Sequence, residues 1–270
     1  MYKYFRLILF FIVSIVFIIS VYGIFSKAKV INEIPADKNE SFEPHLTEIN
    51  SIEKLLNVAD SLYQNKYAGT FDTSKYVDVL GNLVEKRFRK GLAVYTFEGN
   101  WIASLLGKFV WSHFSAIVKP DDILKSDEGL CSQQTMVFME ALRIKGIPFR
   151  SVGLGYDEGP GHFLCEVSYN GDWHLYDVTL EPVWESSNSG AQSLDYYRRN
   201  INEMYKAYNS IIPQESIDTL MKRIKYGRQN EFPASNMLLF HRFTFVLIWL
   251  MPFVSGLVMF LLYKRIKNGN

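Results

Sequence analysis

The chain has 270 residues, of which 48% are hydrophobic and 15% aromatic, and its formal net charge at pH 7 is +1. This composition is that of a foldable protein, and the near balance of charge gives no reason to expect a nucleic-acid partner. The length suits one domain of ordinary size with extra segments, which are visible at both ends of the chain.

Two long uncharged apolar runs predict helices that cross a membrane. Residues 7–25 form a run of 19 residues and residues 243–263 form one of 21, each long enough to span a bilayer as a helix. A cleaved signal peptide is the rival interpretation of the first run, but its apolar core is too long and residues 20–22 make a poor cleavage site. We therefore expect an N-terminal transmembrane anchor at 1–26, a C-terminal transmembrane helix with a basic tail at 236–270, and the lipid bilayer as a partner.

Basic residues on both sides of these runs leave the orientation ambiguous. Lys3 and Arg6 precede the first run and a basic cluster at 264–267 follows the second, which favours cytoplasmic termini. Against this, basic residues also lie between the two runs, at 27–29 after the first and at 222–242 before the second. Because long domains translocate largely regardless of their charge, we expect both termini in the cytoplasm and the intervening domain outside it.

Between the runs, the sequence predicts a polar tether at 27–45 and one domain at 46–235, with its core at 120–185. Apolar positions at helical spacing predict helices on both sides of that core. The basic residues 87–90 are interpreted as a solvated face at the end of a helix. The tyrosines of 193–208 are interpreted as a packed face or, alternatively, as the wall of a groove. The predicted helices are 46–63, 74–90, 100–118, a short one from Pro120, 193–208 and a basic amphipathic one at 216–226.

A cysteine lies where a reactive thiol is favoured, at the start of a predicted helix. Residues 132–145 have apolar side chains at helical spacing, and Gly146 and Pro148 then end the helix. Cys131 falls at or next to the first turn, where unpaired backbone N–H groups and the positive end of the helix dipole favour a thiolate. The same N–H groups can form part of an oxyanion hole.

A predicted hairpin brings a histidine and an aspartate to one face of a sheet. Composition predicts the strands 149–155, 162–168 and 173–179. Asn170-Gly171 between the last two is the strongest short signal for a two-residue turn, and with that turn paired positions sum to 341. His162 and Asp177 then become diagonal neighbours on one face. A carboxylate in that position would fix the imidazole tautomer and stabilise the imidazolium.

Short motifs recur in a fixed order around these residues. They are Gly129-Leu130-Cys131, Ala141-Leu142-Arg143, Gly146-Ile147-Pro148 with Arg150, His162 with Glu166, Gly171-Asp172-Trp173, and Asp177-Val178-Thr179. In this order they resemble the transglutaminase-like superfamily of papain-like cysteine enzymes. The resemblance covers about fifty residues, and it departs from the family pattern at Val178, where proline is usual, and at Leu164, where an aromatic residue is common.

The resemblance implies both a fold and a set of functional residues. The implied fold is α+β, with N-terminal helices first and a nucleophile helix packed on an antiparallel sheet, here flanked by two transmembrane helices. The implied catalytic triad is Cys131, His162 and Asp177.

Other interpretations of the two cysteines are open. Cys131 taken alone is more often a small buried hydrophobe. A disulfide with Cys165 is an alternative, although Cys165 points to the strand face opposite His162. A zinc site using His174 is disfavoured, because His174 also alternates away from the aspartate and no close pair of ligands is present. We therefore expect no metal and no cofactor.

Three residues are weak candidates for substrate binding. Glu166 shares the strand face of His162, with a solvated strand residue as the alternative. Trp111 precedes the cysteine, where the superfamily often draws an oxyanion-hole side chain, but core packing is the default for an aromatic residue. Gln133 lies in the first turn of the nucleophile helix, with simple solvent exposure as the alternative.

The expected activity is acyl transfer at an amide bond through a thioester. Cys131 would attack the carbonyl carbon, His162 would accept and then donate a proton, and Asp177 would hold His162. Water as the acceptor gives a peptidase or amidase, which we favour, and an amine gives protein cross-linking or acyl transfer with the same triad. The expected substrates are peptide, protein or glycan-linked amides. The alternative to an enzyme is a membrane-held binding or scaffold module that does no chemistry.

Overall fold

The protein, in a computed structural model, is a mixture of helices and β-sheet. The structure describes residues 2–25, 41–67, 69–155, 161–180, 182, 192–209 and 211–267. Most of the predicted tether, residues 27–40, and the last residues of the predicted basic tail, 268–270, lie outside the described residues.

The helices are α1 (Tyr2–Phe25), α2 (Ile52–Lys66), α3 (Thr73–Arg87), α4 (Phe97–Phe109), α5 (Pro120–Ile123), α6 (Cys131–Ile144), α7 (Leu194–Arg199), α8 (Ile201–Ala207), α9 (Gln214–Met221) and α10 (Ser235–Lys267), with short 3-10 helices at Pro44–Glu48 and Ser112–Phe114. The strands are β1 (Arg89–Lys90), β2 (Glu128–Gly129), β3 (Phe149–Leu154), β4 (His162–Tyr169), β5 (Asp172–Tyr176) and β6 (Ile224–Tyr226).

These elements group into two compact units. The first consists of Met1–Ile31, Val94–Ile117 and Ser235–Asn270, and the second of Asn32–Ala93 and Val118–Ala234. The sequence predicts that Val94–Ile117 belongs to the domain at 46–235, whereas it groups here with the two long apolar helices. The predicted domain boundaries stay a prediction.

The first unit contains α1 and α10, which are long and apolar enough to cross a membrane. The apolar stretch of α1 covers Tyr4–Gly23, 20 residues, and α10 has 33 residues. The two helices pack closely, since a Cβ atom at Gly256 of α10 would lie 3.4 Å from the ring of Phe17. Both predicted runs therefore lie within longer helices.

The predicted helix at 100–118 is wrong in its bounds and its continuity. The chain instead forms α4, which has a kink at Asn100 (φ −158°, ψ 86°), followed by the separate 3-10 helix Ser112–Phe114. The side chain at the kink is held by two hydrogen bonds. Asn100 Nδ2 donates to Thr244 Oγ1 at 2.8 Å, and its Oδ1 accepts from the backbone N–H of Ala103 at 3.0 Å.

In the second unit, α2 and α3 begin at side-chain caps. Ser51 Oγ accepts from the backbone N–H of Lys54, and Asp72 Oδ1 accepts from those of Ser74 and Lys75. Such caps satisfy N–H groups of the first turn that have no acceptor within the helix. The predicted helix at 46–63 thus splits into the 3-10 helix Pro44–Glu48 and α2.

The expectation of a solvated basic face at 87–90 is wrong. Arg87 is 1% exposed, and its guanidinium donates to the carbonyl oxygens of Ile49 at 2.9 Å and Leu124 at 2.6 Å. The helix ends there, because the next residues form β1, which pairs in parallel with β2. Arg89 on that strand is also buried, and its guanidinium lies 3.2 Å from a carboxylate oxygen of Asp127.

The main sheet has the strand order β5-β4-β3-β6, and neighbouring strands are antiparallel. The predicted hairpin register is confirmed: Tyr169 pairs with Asp172 and Cys165 with Tyr176, so paired positions sum to 341. Asn170 (φ 53°) and the following glycine (φ 89°) both have positive φ, as a tight two-residue hairpin turn requires. The second strand of this hairpin, β5, ends at Tyr176, earlier than the predicted residue 179.

The helix α6 packs against β4, and this contact positions the cysteine beside the sheet. Thr135 Oγ1 of α6 donates to the backbone carbonyl of Phe163 at 3.1 Å. The helix starts at Cys131, one residue before the predicted start, and Gly146 (φ 69°) follows its end. On the sheet, buried apolar residues form a core with the C-terminal helices, among them Val152, Leu164, Leu175, Leu194, Tyr197 and Met204.

The C-terminal part of the domain corrects two further helix predictions. The predicted helix at 193–208 is broken at Asn200 into α7 and α8. The predicted basic helix at 216–226 is wrong in its second half, because the chain leaves α9 after Met221 and forms the edge strand β6. In that strand Tyr226 pairs with Val152 of β3.

Candidate active site

Cys131 is the first residue of α6, in the position predicted for a reactive thiol. The preceding Leu130 is in extended conformation (φ −71°, ψ 165°) and serves as the N-cap. Gln133 fixes this start of the helix, since its Oε1 accepts from the backbone N–H groups of Leu130 at 3.2 Å and Ala93 at 2.9 Å, and its Nε2 donates to the Ala93 carbonyl at 2.8 Å. Gln133 is 2% exposed, so the alternative of a solvent-facing side chain is wrong.

His162 and Asp177 are brought together by the hairpin. The Nε2 atom of His162, at the start of β4, lies 2.7 Å from Oδ2 of Asp177, which directly follows β5. The side chain of Asp177 is fully buried and that of His162 is 12% exposed. The other carboxylate oxygen accepts from the backbone N–H groups of Thr179 at 3.1 Å and Leu180 at 3.2 Å, so the aspartate is held by the turn that it starts.

Tyr208 also contacts this carboxylate, and the sequence did not single it out. Its hydroxyl donates to Oδ2 of Asp177 at 2.8 Å, and the residue is 1% exposed. Burial, followed by the charge of Asp177, raises the pKa of Tyr208 well above its usual value, so it remains a donor. The available signal was the tyrosine-rich segment 193–208, but nothing in its spacing distinguishes Tyr208 from its neighbours.

The thiol of Cys131 is biased towards its charged form. Burial alone would raise the pKa of Cys131, but a hydrogen bond from His162, the charge of His162 and the backbone N–H of Phe163 lower it, and the net shift is downward. A thiolate at this position is the form that can attack an electrophilic carbon.

The imidazole of His162 is biased towards its protonated form. Burial alone would lower the pKa of His162, but the charge and hydrogen bond of Asp177 and the interaction with Cys131 raise it to about 10. The pKa of Asp177 is lowered, because the charge and hydrogen bond of His162 outweigh the effect of burial. These shifts favour a thiolate, an imidazolium and a carboxylate, a set of charges that can supply a nucleophile and carry a proton.

Glu166 is buried within the domain rather than solvated. The residue is fully buried, and its Oε2 accepts from Nε of Arg150 at 2.7 Å while its Oε1 accepts from the backbone N–H of Leu194 at 2.7 Å. The guanidinium of Arg150 lies 4.5 Å from the ring centroid of Trp173 and 4.3 Å from that of Tyr226. Glu166 therefore joins the sheet to the start of α7, and its carboxylate is occupied by these internal partners.

Three other residues considered from the sequence, Cys165, His174 and Trp111, make contacts of their own. Cys131 and Cys165 are both free thiols, and Cys165 is fully buried, with a pKa raised well above its usual value by burial and by the charge of Glu166. His174 stacks on Tyr169 with ring centroids 3.8 Å apart. Trp111 belongs to the first unit, where its ring packs edge-on against those of His113 and Phe114. Among the described residues, no group of three or more His, Cys, Asp or Glu side chains has a geometry that could hold a metal ion.

Comparisons with known proteins give one distant structural likeness. No family model and no curated protein matches the chain. A solved structure described as "Crystal structure of a TGase" is similar to it with a TM-score of 0.33 and 15% sequence identity. The match covers 63% of this chain and 39% of the other, so the chain spans less than half the length of that protein.

Proposed function

We propose that the protein is a membrane-anchored, transglutaminase-like cysteine enzyme that acts on amide bonds through a thioester intermediate. The observation that carries this proposal is the contact of His162 Nε2 with buried Asp177 at 2.7 Å, with His162 as the hydrogen-bond partner of the Cys131 thiol at the start of α6. A cysteine packed merely as a small hydrophobe has no need of an oriented imidazole. The ordered motifs around these residues support the same assignment.

In the proposed first half-reaction, the thiolate of Cys131 attacks the amide carbonyl carbon and a C–S bond forms. The negative charge moves to the carbonyl oxygen, which the backbone N–H groups of the first turn of α6 would stabilise. His162 then gives its proton to the amide nitrogen, the C–N bond breaks, and the amine leaves a thioester on the enzyme. Asp177 keeps the imidazole oriented and stabilises its positive charge.

In the proposed second half-reaction, an acceptor releases the acyl group. His162 takes a proton from water, the oxygen attacks the thioester carbon, and the C–S bond breaks to restore the Cys131 thiolate. We favour water, which gives a peptidase or amidase acting on a peptide, protein or glycan-linked amide. An amine acceptor would give cross-linking or acyl transfer by the same three residues.

The proposed orientation in the membrane rests on the two apolar helices and the basic residues beside them. α1 and α10 would span the bilayer, both termini would be cytoplasmic, and the domain that contains Cys131 would lie outside the cytoplasm. The basic residues at both outer ends of the apolar helices support this orientation.

The decisive test is the rate of alkylation of Cys131 by iodoacetamide as a function of pH. The full chain is used in detergent, with the peptides of Cys131 and Cys165 followed separately by mass spectrometry, so that buried Cys165 is an internal control. We expect Cys131 to react with a midpoint well below about 8.5, the usual value for a free thiol, and the midpoint to rise in His162→Ala. A midpoint that is unshifted and insensitive to that substitution would leave a non-catalytic binding or scaffold module.

If Cys131 is reactive, the acceptor can be identified in ¹⁸O-labelled water. Hydrolysis of an amide substrate would place one labelled oxygen in the new carboxylate, whereas transfer to an added primary amine would leave the product unlabelled. Exclusive transfer would overturn our preference for hydrolysis and retain the thioester chemistry.

A further inference from the structure

The last residue of α4 and the two residues after it expose three consecutive large apolar side chains. Phe109, Val110 and Trp111 are 73%, 67% and 51% exposed, and the first two are the most exposed large apolar residues among those described outside α1 and α10. We call residues 109–111 the apolar turn. Single exposed apolar residues are normal on a soluble protein, but adjacent ones indicate a surface that contacts a protein or a membrane.

The N-terminal half of α4 packs against the ends of both apolar helices. The ring of Phe97 lies 6.2 Å from that of Tyr22, near the end of α1. Asn100 donates to Thr244, in the third turn of α10, at 2.8 Å. These contacts set α4 beside the C-terminal end of α1 and the N-terminal end of α10.

The segment that follows the apolar turn returns to the same level of α10. The ring of Phe114 lies 4.8 Å from that of Phe240, and Nε2 of His241 lies 3.0 Å from the Phe114 carbonyl oxygen. The uncharged run of α10 begins at residue 243. The apolar turn is therefore tethered on both sides to the level at which the two apolar helices would leave the hydrocarbon core.

The size and composition of α4 favour a position at the membrane interface over a third span. Its 13 residues correspond to about 20 Å of helix, shorter than the roughly 30 Å of a bilayer core. Tryptophan and lysine are typical anchors at the level of the lipid head groups. Lys108 precedes the turn, with its ammonium group 5.5 Å from the ring centroid of Phe109.

We propose that the apolar turn inserts into the interfacial layer of the bilayer and is a third lipid contact of the protein beside α1 and α10. The lipid is favoured over a protein partner because the segments on both sides of the turn contact two helices whose own apolar side chains are exposed, such as Phe253 at 75%. The proposal does not depend on the chemistry of Cys131.

The test measures the depth of a fluorophore in vesicles. A nitrobenzoxadiazole label is attached at Val110→Cys in the full chain carrying Cys131→Ala, reconstituted in phosphatidylcholine–phosphatidylglycerol vesicles with or without brominated acyl chains. Phe253→Cys in α10 is the reference for lipid, and Phe71→Cys, 60% exposed in the second unit, is the reference for water. The parent without an added cysteine reports any labelling of Cys165.

We expect brominated lipid to quench the label at 110 by about twofold, as an interfacial side chain requires, with bromine near the head groups more effective than bromine deep in the chain. The label at 253 should be quenched most by deep bromine, and that at 71 only by aqueous iodide. Quenching at 110 that matches position 71 would overturn the proposal. A label at 110 that is shielded from iodide but insensitive to brominated lipid would also overturn it and indicate that another part of this chain or a second copy covers the turn.

Discussion

Tyr208 and His162 contact the same carboxylate oxygen, Oδ2 of Asp177, at 2.8 Å and 2.7 Å. The aspartate is thus held from three sides, by the imidazole, by the phenol and by the backbone N–H groups that reach its other oxygen. A carboxylate bound in this way cannot rotate without breaking several hydrogen bonds, so its orientation is transmitted to His162. We therefore propose that Tyr208 is a positioning residue for the proposed reaction.

Replacing Tyr208 by phenylalanine should loosen this arrangement while preserving the packing of the ring. A hydrogen bond to a charged group contributes about 1.5–3 kcal/mol, so we expect a loss of thermal stability of that order. We also expect about a tenfold slower alkylation of Cys131 at neutral pH, since about 1.4 kcal/mol corresponds to tenfold in a rate. Thermal unfolding and the alkylation rate are measured on the same preparation.

Tyr205→Phe is the matched control for this substitution. Tyr205 lies in α8, three residues before Tyr208, which caps the C-terminal end of that helix, and its hydroxyl bonds to Asp218 at the surface. Neither stability nor the reactivity of Cys131 should change appreciably in this variant. If Tyr208→Phe lowered stability but left the alkylation of Cys131 unchanged, its role would be structural and not that of a positioning residue.

The difference between Asp177 and Tyr208 shows what the sequence could predict. The Asn170-Gly171 turn fixes the register of the hairpin within a few residues, so the approach of His162 to Asp177 follows from local pattern. Tyr208 is separated from Asp177 by 31 positions, and its approach depends on how α8 packs on the sheet. Long-range packing of that kind leaves no periodic signal in the chain.

Arg87 and Asn100 illustrate a second limit. A basic residue near a helix end is most often solvated, yet Arg87 is buried because backbone carbonyls from two other segments converge on it. Asn100, the predicted first residue of a helix, lies instead within α4 and kinks it, with Thr244 as a buried hydrogen-bond partner. In both cases a tertiary hydrogen bond overrides a local tendency.

The pH dependence of amide turnover should be bell-shaped if the proposed ion pair operates. Activity should rise as Cys131 loses its proton, with a midpoint below the usual thiol pKa because that pKa is lowered. It should fall as the pH passes about 10, where His162 loses the proton that the leaving amine needs. Initial rates across pH 4–11 (roughly the range over which thiols and histidine titrate in proteins) would show both limbs, and an alkaline limb near pH 7 would contradict the assignment.

The free energy of unfolding should depend on pH through the protonation of His162. Because the folded-state pKa of His162 is raised from 6.5 to about 10, the protonated imidazole contributes stability that is fully present below pH 6.5. That contribution declines as the pH rises towards 10. The difference in melting temperature between the parent and His162→Ala should therefore narrow between these values, and a difference independent of pH would show that His162 is not charged in the folded protein.

The proposed orientation in the membrane predicts a specific labelling pattern. A cysteine at position 71, in the domain, should react in intact cells with a membrane-impermeant maleimide, whereas one at position 268, after α10, should react only after the membrane is permeabilised. Both substitutions are made in a chain carrying Cys131→Ala, so that the native thiol does not contribute. The reverse pattern would place the domain in the cytoplasm, and the basic residues between the two apolar runs would then have decided the topology.

Arg87 should contribute strongly to the stability of the fold, although it is not part of the proposed site. Its guanidinium donates to carbonyl oxygens of Ile49 and Leu124, and burial lowers its pKa to about 10, only partly offset by the charge of Asp127. Arg87→Met would fill a similar volume but leave buried carbonyls without donors, at about 1–3 kcal/mol for each unsatisfied group. We expect a loss of about 3 kcal/mol in total.

Arg143→Met is the matched control, since Arg143 also lies in the last turn of a helix but has a side chain that is 54% exposed and pairs with Glu140 three residues earlier. An exposed pair of this kind contributes about 0.5 kcal/mol or less. Thermal unfolding of the full chain in one detergent, followed by intrinsic fluorescence, compares the two variants directly. Equal stability of the two variants would mean that the buried guanidinium is replaceable by an apolar chain, because water or a backbone shift then satisfies the carbonyls.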